Sequence, residues 1–281
     1  MAFSIRTNSE SLTALRNFER AGKDVARSGR QVSTGLKVQG AVDDASNFAI
    51  AQGIRGDVKA INAVVQGLNT AKGIARVAVA GATAVSNIMI DIRQKITEGA
   101  NEGNTAQQQA ILQADYNELV QQMRQIMEDS EFNGVNILIE VAIPFNLAVG
   151  TVNDVDVLSN LEGGTIRLDG QRLDLSYALL NAEDISTPAN ALQALTVFEQ
   201  EEQRVATALG SLGANLRALE LQTQQLSATL DASEEGLGNM VDADMARASA
   251  DQTSAEVRSQ LSAQTLGIAN RAPEIILGLF Q

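Results

Sequence analysis

The 281-residue sequence contains no cysteine, no histidine and no tryptophan, and only three prolines. Without cysteine the chain forms no disulfide and offers no thiolate to a metal ion. Without histidine it lacks the commonest general base, the commonest metal ligand and the catalytic triads that need an imidazole. These absences disfavour an enzyme or a metalloprotein, and we predict neither catalysis nor a cofactor.

Aromatic residues are also scarce, at 3% against 44% hydrophobic residues. The core of an enzyme of this size normally contains more large aromatic side chains. Ala, Leu, Gln, Val and Ile dominate, which is typical of long helices packed in bundles. No uninterrupted apolar run reaches eighteen residues, so we predict no membrane-spanning segment. The first twenty residues lack the apolar core of a secretory signal.

The charge is negative overall but unevenly spread. The formal net charge is -13, yet residues 1–40 hold seven Lys/Arg against three Asp/Glu. An acidic protein is repelled by nucleic acids and by anionic membranes, so we expect neither as a partner. The basic residues near the start alternate with apolar ones at helical spacing, which indicates a helix face rather than a nucleic-acid-binding arm.

Two proline-free blocks, 1–143 and 189–272, carry helical periodicity. In the first block a heptad seam is followed by a long helix over about 47–98 and a shorter one around 112–126. In the second block a helix from about 195 is ended by "GLGN" at 236–239, and a last helix covers about 242–270. The first seam consists of Leu15, Phe18, Gly22, Val25, Gly29, Val32 and Leu36, and the last of Ala248, Ala255, Ser259, Ser262 and Ala269.

The middle of the chain, 135–187, is predicted to form strands. In "GGTIRLDGQRLDLS" the apolar residues alternate on both sides of Asp169-Gly170, which is a strong hairpin signal. A second hairpin is predicted in "FNLAVGTVNDVDVLSN". The fold class is therefore mainly α: a long antiparallel helical coiled-coil bundle built from both chain ends, with a small β-hairpin region at mid-sequence.

The two chain ends should lie side by side, with only each other to pack against. Seams rich in Gly and Ala bury little apolar area, too little to offset the entropy lost in ordering both ends. We therefore predict that the ends are disordered in the monomer and become ordered against other copies. Contacts of this kind that do not close into a ring build a helical filament.

Three motifs, in the right order, resemble those of the bacterial flagellins. The segment "VSTGLKVQGAVDDASNFAIAQGIR" resembles their N-terminal signature, and "FNGVNIL" at 132–138 resembles their motif after the third helix. The last 42 residues, with "DADMA", "IAN" and a proline before a short apolar tail, are similar to the flagellin C-terminus. The resemblance covers about 1–140 and 188–281.

The resemblance implies a secreted, extracellular subunit of the flagellar filament, a self-polymerising helical tube that acts as a propeller for swimming motility. Residues 1–45 and 240–281 would form the inner core, and 46–239 the outer-tube domain, without additional outer domains. Implied partners are the chain itself, alone or mixed with other flagellins, and the flagellar export apparatus, its chaperone, and the hook-associated and cap proteins. The hook–filament junction protein, which has related ends, is the alternative.

The same resemblance implies site residues. Gly35, Gly40, Asp43 and Asp44 would form the spoke between inner and outer helices, with the glycines in the turn and the acids near a helix N-terminus. The inner-core polymerisation interface would contain Leu12, Leu15, Phe18, Val25, Val32, Met245, Leu261, Leu266, Ile268, Ile275, Ile276, Leu277, Leu279 and Phe280.

A departure from the family pattern concerns recognition by animals. Enteric flagellins carry an Arg, Leu and Glu patch that the vertebrate innate flagellin receptor binds, and alignment places Asp91, Lys95 and Asp115 at those positions. We predict weak activation of that receptor.

Carboxylate pairs offer the remaining rival interpretations. Asp43/Asp44 or Glu201/Glu202 would have to act as a catalytic acid and base, but adjacent residues on a helix do not face one another. Asp154 and Asp156 are too few ligands for a calcium site.

Overall fold

The computed structural model describes residues 8–140 and 154–277, with side chains as far as Arg271. It contains six helices and one two-stranded antiparallel sheet over these residues. In chain order they are α1 (Ser9–Thr34), α2 (Ala45–Gly99), α3 (Ala106–Asp129), β1 (Val155–Leu158), β2 (Thr165–Leu168), α4 (Asp174–Asn181), α5 (Pro188–Val241) and α6 (Met245–Leu277). The mainly helical fold and the mid-sequence hairpin are confirmed.

The chain folds as two compact units. Residues up to 58 together with residues from 232 onward form the terminal unit, and residues 59–231 form the central unit. The terminal unit contains α1, α6 and the adjoining ends of α2 and α5. The central unit contains the rest of α2 and α5, all of α3 and α4, and the sheet.

The central unit has a continuous core of large side chains. Residues of α2, α3, α4 and α5 meet there, and the largest fully buried ones include Met89, Ile92, Tyr116, Met123 and Phe198. Leu168 of β2 is buried in a second cluster with apolar residues of α2 and α5. This unit therefore has an apolar core of its own, while single large side chains such as Ile90, Ile111 and Leu192 remain exposed on its surface.

Buried polar groups fix one end of the central unit. Gln109 donates to the carbonyl oxygens of Gly99 (2.7 Å) and Ile185 (2.6 Å). The Tyr116 hydroxyl donates to the Leu180 carbonyl at 2.6 Å, and burial raises the pKa of this phenol, which keeps it a donor. These bonds join the end of α2, the start of α3 and the segment before α5.

The hairpin differs from the predicted one. Val155 pairs with Leu168 and Leu158 with Thr165, so the turn lies at 159–164 and not at Asp169-Gly170. Asn160 closes this turn, because its side-chain oxygen accepts from Glu162 N and Gly164 N, and Gly163 has the positive φ of +89°. The second predicted hairpin, at 145–160, lies largely outside the described residues.

The residues after Asp169-Gly170 form a connection and a helix. Gln171 N and Leu173 N donate to the carbonyls of Ile137 and Leu138, and α4 begins at Asp174. The alternation of Leu173 and Leu175 therefore marks no strand: Leu173 is buried at the start of α4, whereas Leu175 is exposed. The prediction of strands throughout 135–187 is wrong in this segment.

Two helix ends also differ from prediction. The helix α5 continues through "GLGN" to Val241, because Leu237, Met240 and Val241 pack with Val38 and Ala51 and so offset the low helix propensity of glycine. The helix α6 begins at Met245 and extends to Leu277. The predicted bounds of α2, 47–98, lie within two residues of the observed ones.

The helix α2 is long and apolar enough to cross a membrane by length and composition alone. Core helices share this property, and nearly half of its most apolar window is buried. Leu68, Val85 and Ile92 of α2 all lie in the core of the central unit.

The segment 130–138 covers two glycines of α2. Asn133 (φ +52°) and Gly134 (φ +80°) form a two-residue turn, closed by paired backbone bonds between Phe132 and Val135. A Cβ atom on Gly73 would lie 2.8 Å from the Phe132 ring, and one on Gly81 would lie 2.0 Å from the Ser130 hydroxyl oxygen. The "FNG" motif thus packs where α2 has no side chain.

Replacing Gly81 tests this packing. Gly81→Ala places a methyl group against Ser130 and Leu138, so we expect a loss of about 1–3 kcal/mol in the free energy of unfolding. Gly67→Ala, on the same helix with nothing within 4 Å of the added atom, should instead stabilise by about 0.5–1 kcal/mol. Urea unfolding followed by circular dichroism measures both, and equal effects would contradict the packing argument.

Candidate assembly interface

The helices α1 and α6 pack against each other through small side chains. Ala14, Ala21 and Ser28 are the buried residues of α1, and Ala248 and Ala255 are those described in α6. The buried positions recur every seven residues on both helices, which is the repeat of a coiled-coil seam. Small residues let the two backbones approach closely, but they bury little apolar area.

Hydrogen bonds fix the pair at both ends and show that it is antiparallel. At one end Asn8 donates to the Ala269 carbonyl (2.8 Å) and the Ser11 hydroxyl to the Asn270 side chain (2.5 Å). At the other end Ala243 N donates to the Gly35 carbonyl at 2.8 Å. The two chain ends lie side by side, as the sequence predicted.

The predicted seam of α1 is displaced from the observed contact. Leu15 and Phe18 are exposed, while Val25 and Val32 are half-buried at its edge. At 100° per residue the predicted stripe lies roughly 70° around the helix from Ala14, Ala21 and Ser28. The prediction that the large residues face α6 is wrong, because the small residues allow the closer approach.

Large apolar side chains consequently remain on the outside of the helix pair. In α1, Leu12 and Leu15 are 48% and 40% exposed, and in α6, Leu261 and Ile268 are 55% and 73% exposed. Exposed apolar groups on this scale mark interaction surfaces. The exposed or half-buried members among the described residues are Leu12, Leu15, Phe18, Val25, Val32, Met245, Val257, Leu261, Leu266 and Ile268.

Most of these residues were predicted as interface positions. Val257 was missed because it lies off the small-residue seam, although it is half exposed on α6. Ile275, Ile276 and Leu277 belong to α6 but lie beyond the described side chains, and Leu279 and Phe280 lie outside the described residues.

The joint between α1 and α2 contains two glycines, and the backbone conformation requires glycine only at Gly35. Gly35 ends α1 in the left-handed conformation (φ +71°), and its N–H donates to the Gln31 carbonyl. Gly40 accepts from Asp43 N in the following turn, with open space where a Cβ would lie and no positive φ. The expected role of glycine in the turn therefore holds for Gly35.

The two acids of the joint have different contacts. Asp44 precedes α2 and accepts from Asn47 N at 3.0 Å, which makes it the N-cap of that helix. Asp43 accepts from Gln39 N at 3.2 Å and so closes the turn. Hydrogen bonds from the Asn47 backbone and side chain hold the pKa of Asp44 below its ordinary value.

An apolar cluster that the sequence did not reveal lies beneath the joint. Val38, Ala51 and Val241 are buried there, and Lys37 N donates to the Val241 carbonyl at 2.7 Å. The cluster attaches the joint to the end of α5. No periodic pattern marks it, because each segment contributes only two or three residues.

The three positions of the receptor patch lie in the central unit. The Lys95 ammonium contacts the Asp115 carboxylate at 3.0 Å and the Glu98 carboxylate at 3.6 Å. The contact with Asp115 raises the pKa of Lys95. Asp91 is exposed one turn before Lys95 on the same helix.

The other carboxylates have structural partners. Glu201 is buried and pairs with Arg204, while Glu202 pairs with Arg93. Asp156 pairs with Arg167 on the neighbouring strand, and Asp154 accepts from Gly170 N. Over the described residues, no group of three or more acidic side chains is arranged to hold a metal ion.

Comparison with known proteins identifies the helical ends. Residues 5–142 match the model of the bacterial flagellin N-terminal helical region, and residues 195–280 match that of the bacterial flagellin C-terminal helical region. The chain belongs to the bacterial flagellin family. The two matches contain α1 to α3 and nearly all of α5 and α6, which form the two helical blocks of this flagellin.

Full-length relatives have the same extent. Flagellin FljO of Caulobacter vibrioides is 27% identical over 279 residues, which cover 99% of this chain and 98% of that protein. Flagellin FljJ of the same organism is 29% identical and covers 100% and 99%. A flagellin of Brucella melitensis is 27% identical and covers 99% of both chains.

Solved structures share the fold. A crystal structure of Bacillus cereus flagellin matches with a TM-score of 0.50 and 22% identity, over 57% of this chain and 88% of that one. A candidate flagellar hook-associated protein from Vibrio parahaemolyticus matches with a TM-score of 0.57 and 13% identity, over 71% and 100%. At these identities the likeness concerns the fold alone.

The Asp44 carboxylate caps α2, so the stability that it contributes should depend on pH. Because the folded-state pKa of Asp44 lies below its ordinary 3.8, its stabilisation is fully present above that value and is lost as the pH falls through the lowered one. Asp44→Ala should therefore lower the temperature at which filaments dissociate at pH 7, by an amount that shrinks below pH 4. Asp44→Asn retains a good capping side chain and should stay close to wild type at pH 7. A deficit of Asp44→Ala that is constant from pH 3 to 7 would contradict this assignment.

Proposed function

We propose that this flagellin is the structural subunit of a bacterial flagellar filament, in which it polymerises with copies of itself to form the propeller for swimming. The observation that carries the proposal is the apolar surface that α1 and α6 leave exposed after packing on each other. Family membership over both helical blocks supports the same function.

The terminal helices would form the inner core of the filament. Their mutual contact consists of alanine and serine side chains, whereas residues such as Leu15, Leu261 and Ile268 are left in water. Fully burying a side chain of this size is worth about 1.5–3 kcal/mol, and burying the part that is exposed here roughly half of that, and we infer that another copy offers the surface. We therefore propose that residues 1–45 and 240–281 are disordered in the monomer and become ordered during assembly.

The central helices would form the outer tube. Residues 46–239 contain a core that is complete without a partner, and only 58 residues separate Asp129, the end of α3, from Pro188, the start of α5. That length holds the hairpin and α4. The short form without additional outer domains follows, with Gly35, Gly40, Asp43 and Asp44 as the spoke between the tubes.

The remaining partners and the location follow from membership in the family. We propose that the chain leaves the cell through the flagellar export apparatus with a chaperone, and assembles outside between hook-associated and cap proteins. The junction protein of hook and filament is the alternative function. Both solved structures above share the fold, so only assembly behaviour separates a bulk subunit from an adaptor.

Seeded assembly tests the function. Monomer obtained by heat dissociation and then cooled should elongate sonicated seeds into filaments of uniform width, seen by negative-stain electron microscopy. Leu15→Gln combined with Leu261→Gln should raise the critical concentration at least about tenfold, since about 1.4 kcal/mol of lost burial has that effect.

A matched substitution controls for a general loss of apolar surface. Leu221→Gln replaces a residue of the central unit that is 61% exposed, and it should assemble as wild type does. Wild-type protein that stays monomeric with its own seeds, yet binds the ends of another flagellin's filaments, would refute the bulk-subunit function in favour of the junction protein.

The divergent receptor patch gives a separate prediction. Asp91 and Lys95 differ in charge from the Arg and Leu of enteric flagellins, and Lys95 is already paired with Asp115. We expect purified monomer to activate a receptor reporter cell line poorly. Asp91→Arg with Lys95→Leu and Asp115→Glu should raise activation at equal helix content, and strong activation by the wild type would overturn the proposal.

A further inference from the structure

A stripe of five cations runs along the exposed face of α1. Its members are Arg16, Arg20, Lys23, Arg27 and Arg30, spaced by alternating steps of four and three residues. All five are exposed. At 100° per residue the stripe lies roughly 140° around the helix from the small residues that contact α6, so it faces away from that contact.

The stripe has no ion-pair partner within the part of the chain that the structure describes. Glu19 and Asp24 lie on its flanks, but neither comes within ion-pair distance of it. Like charges three and four residues apart on a helix repel each other, and the stripe contains four such neighbouring pairs. A helix with this arrangement is stabilised when an acidic surface lies against it.

An acidic patch lies elsewhere in the same unit. Glu234, Glu235, Asp242 and Asp244 are exposed around a groove of about 450 Å³ at the junction of α5 and α6. Asp244 caps α6 by accepting from Ala246 N. Glu234, Glu235 and Asp242 form no ion pair within the described ranges, so these three carboxylates are open to a partner.

The stripe and the patch of one chain cannot pair along their length. The patch lies at the Gly35 end of α1, since Ala243 N donates to the Gly35 carbonyl. Arg16 is nineteen residues before Gly35, roughly 28 Å along the helix. The stripe therefore extends away from the patch of its own chain, and most of it needs a patch supplied by another molecule.

We propose that the basic stripe of α1 binds the acidic patch at the α5–α6 junction of a neighbouring copy in the filament. The proposal rests on the filament function above. The overall charge of -13 opposes binding to nucleic acids or anionic membranes and leaves a second copy as the fitting occupant. Two different surfaces meet in this contact, so it is heterologous, and in the filament proposed above it would repeat from copy to copy without closing into a ring.

A charged contact of this kind would set the axial alignment between neighbouring subunits. Apolar side chains on α1 and α6 provide the driving force, but they tolerate sliding because the burial of apolar area is not directional. Opposite charges at fixed spacing favour one alignment and disfavour others. The stripe would thus select the axial position of each new subunit.

A pair of charge-reversed variants tests the proposal. Variant A carries Arg20→Glu and Lys23→Glu, and variant B carries Glu234→Lys and Glu235→Lys. Alone, each places like charges together, and each should elongate seeds at least about tenfold more slowly than wild type. An equimolar mixture of A and B restores opposite charges at both contacts, so it should elongate as an alternating copolymer at a rate near wild type.

The mixture separates pairing from misfolding, because a variant that fails to fold is not rescued by its partner. Arg20→Lys with Lys23→Arg keeps the charge and should assemble normally. Normal assembly by A or B alone, or a mixture no faster than its components, would overturn the pairing. Wild type that does not extend its own seeds would instead contradict the filament function.

Discussion

The close contact of α1 with α6 through alanine and serine determines the behaviour of the terminal unit. Ala14, Ala21 and Ser28 face α6, so the backbones approach and the larger side chains of both helices are turned outward. A seam of this kind defines the geometry of a helix pair while contributing little hydrophobic stabilisation. The larger apolar side chains of the pair are thereby left exposed, as the proposed assembly with other copies requires.

In the central unit, by contrast, the helices pack through large side chains. Its helices bury Tyr116, Phe198 and several isoleucines and methionines among themselves, and Gln109 satisfies two buried carbonyls. Because its core is complete, it has a defined structure before any partner is present. One chain therefore combines a unit that has its own core of large side chains with a helix pair that leaves large apolar side chains exposed, which is the combination that the proposed self-assembling subunit requires.

Periodicity predicted the long helices well, because α2 and α5 present apolar residues to a core over many turns. It failed where small or single residues decide the structure. The contact face of α1 was misplaced because alanine and serine give a weaker hydrophobic signal than Leu15 and Phe18. The hairpin turn was misplaced because the Asn160 side chain with Gly163 outweighs Asp169-Gly170, and the cluster under the joint has no repeating pattern at all.

The joint links α1 to α6, so in the proposed assembly it would make the ordering of the two chain ends a single event. Gly35 ends α1 and accepts from Ala243 N, while Lys37 N donates to the Val241 carbonyl, so the exit of α1 is bonded to the segment that enters α6. Val38 and Val241 then pack in one cluster with Ala51 of α2. Ordering α1 against a neighbour therefore fixes the start of α6, and the reverse holds equally. Under the proposed assembly, neither helix would gain its partner surface without placing the other, so a subunit would join the filament with both ends ordered or with neither.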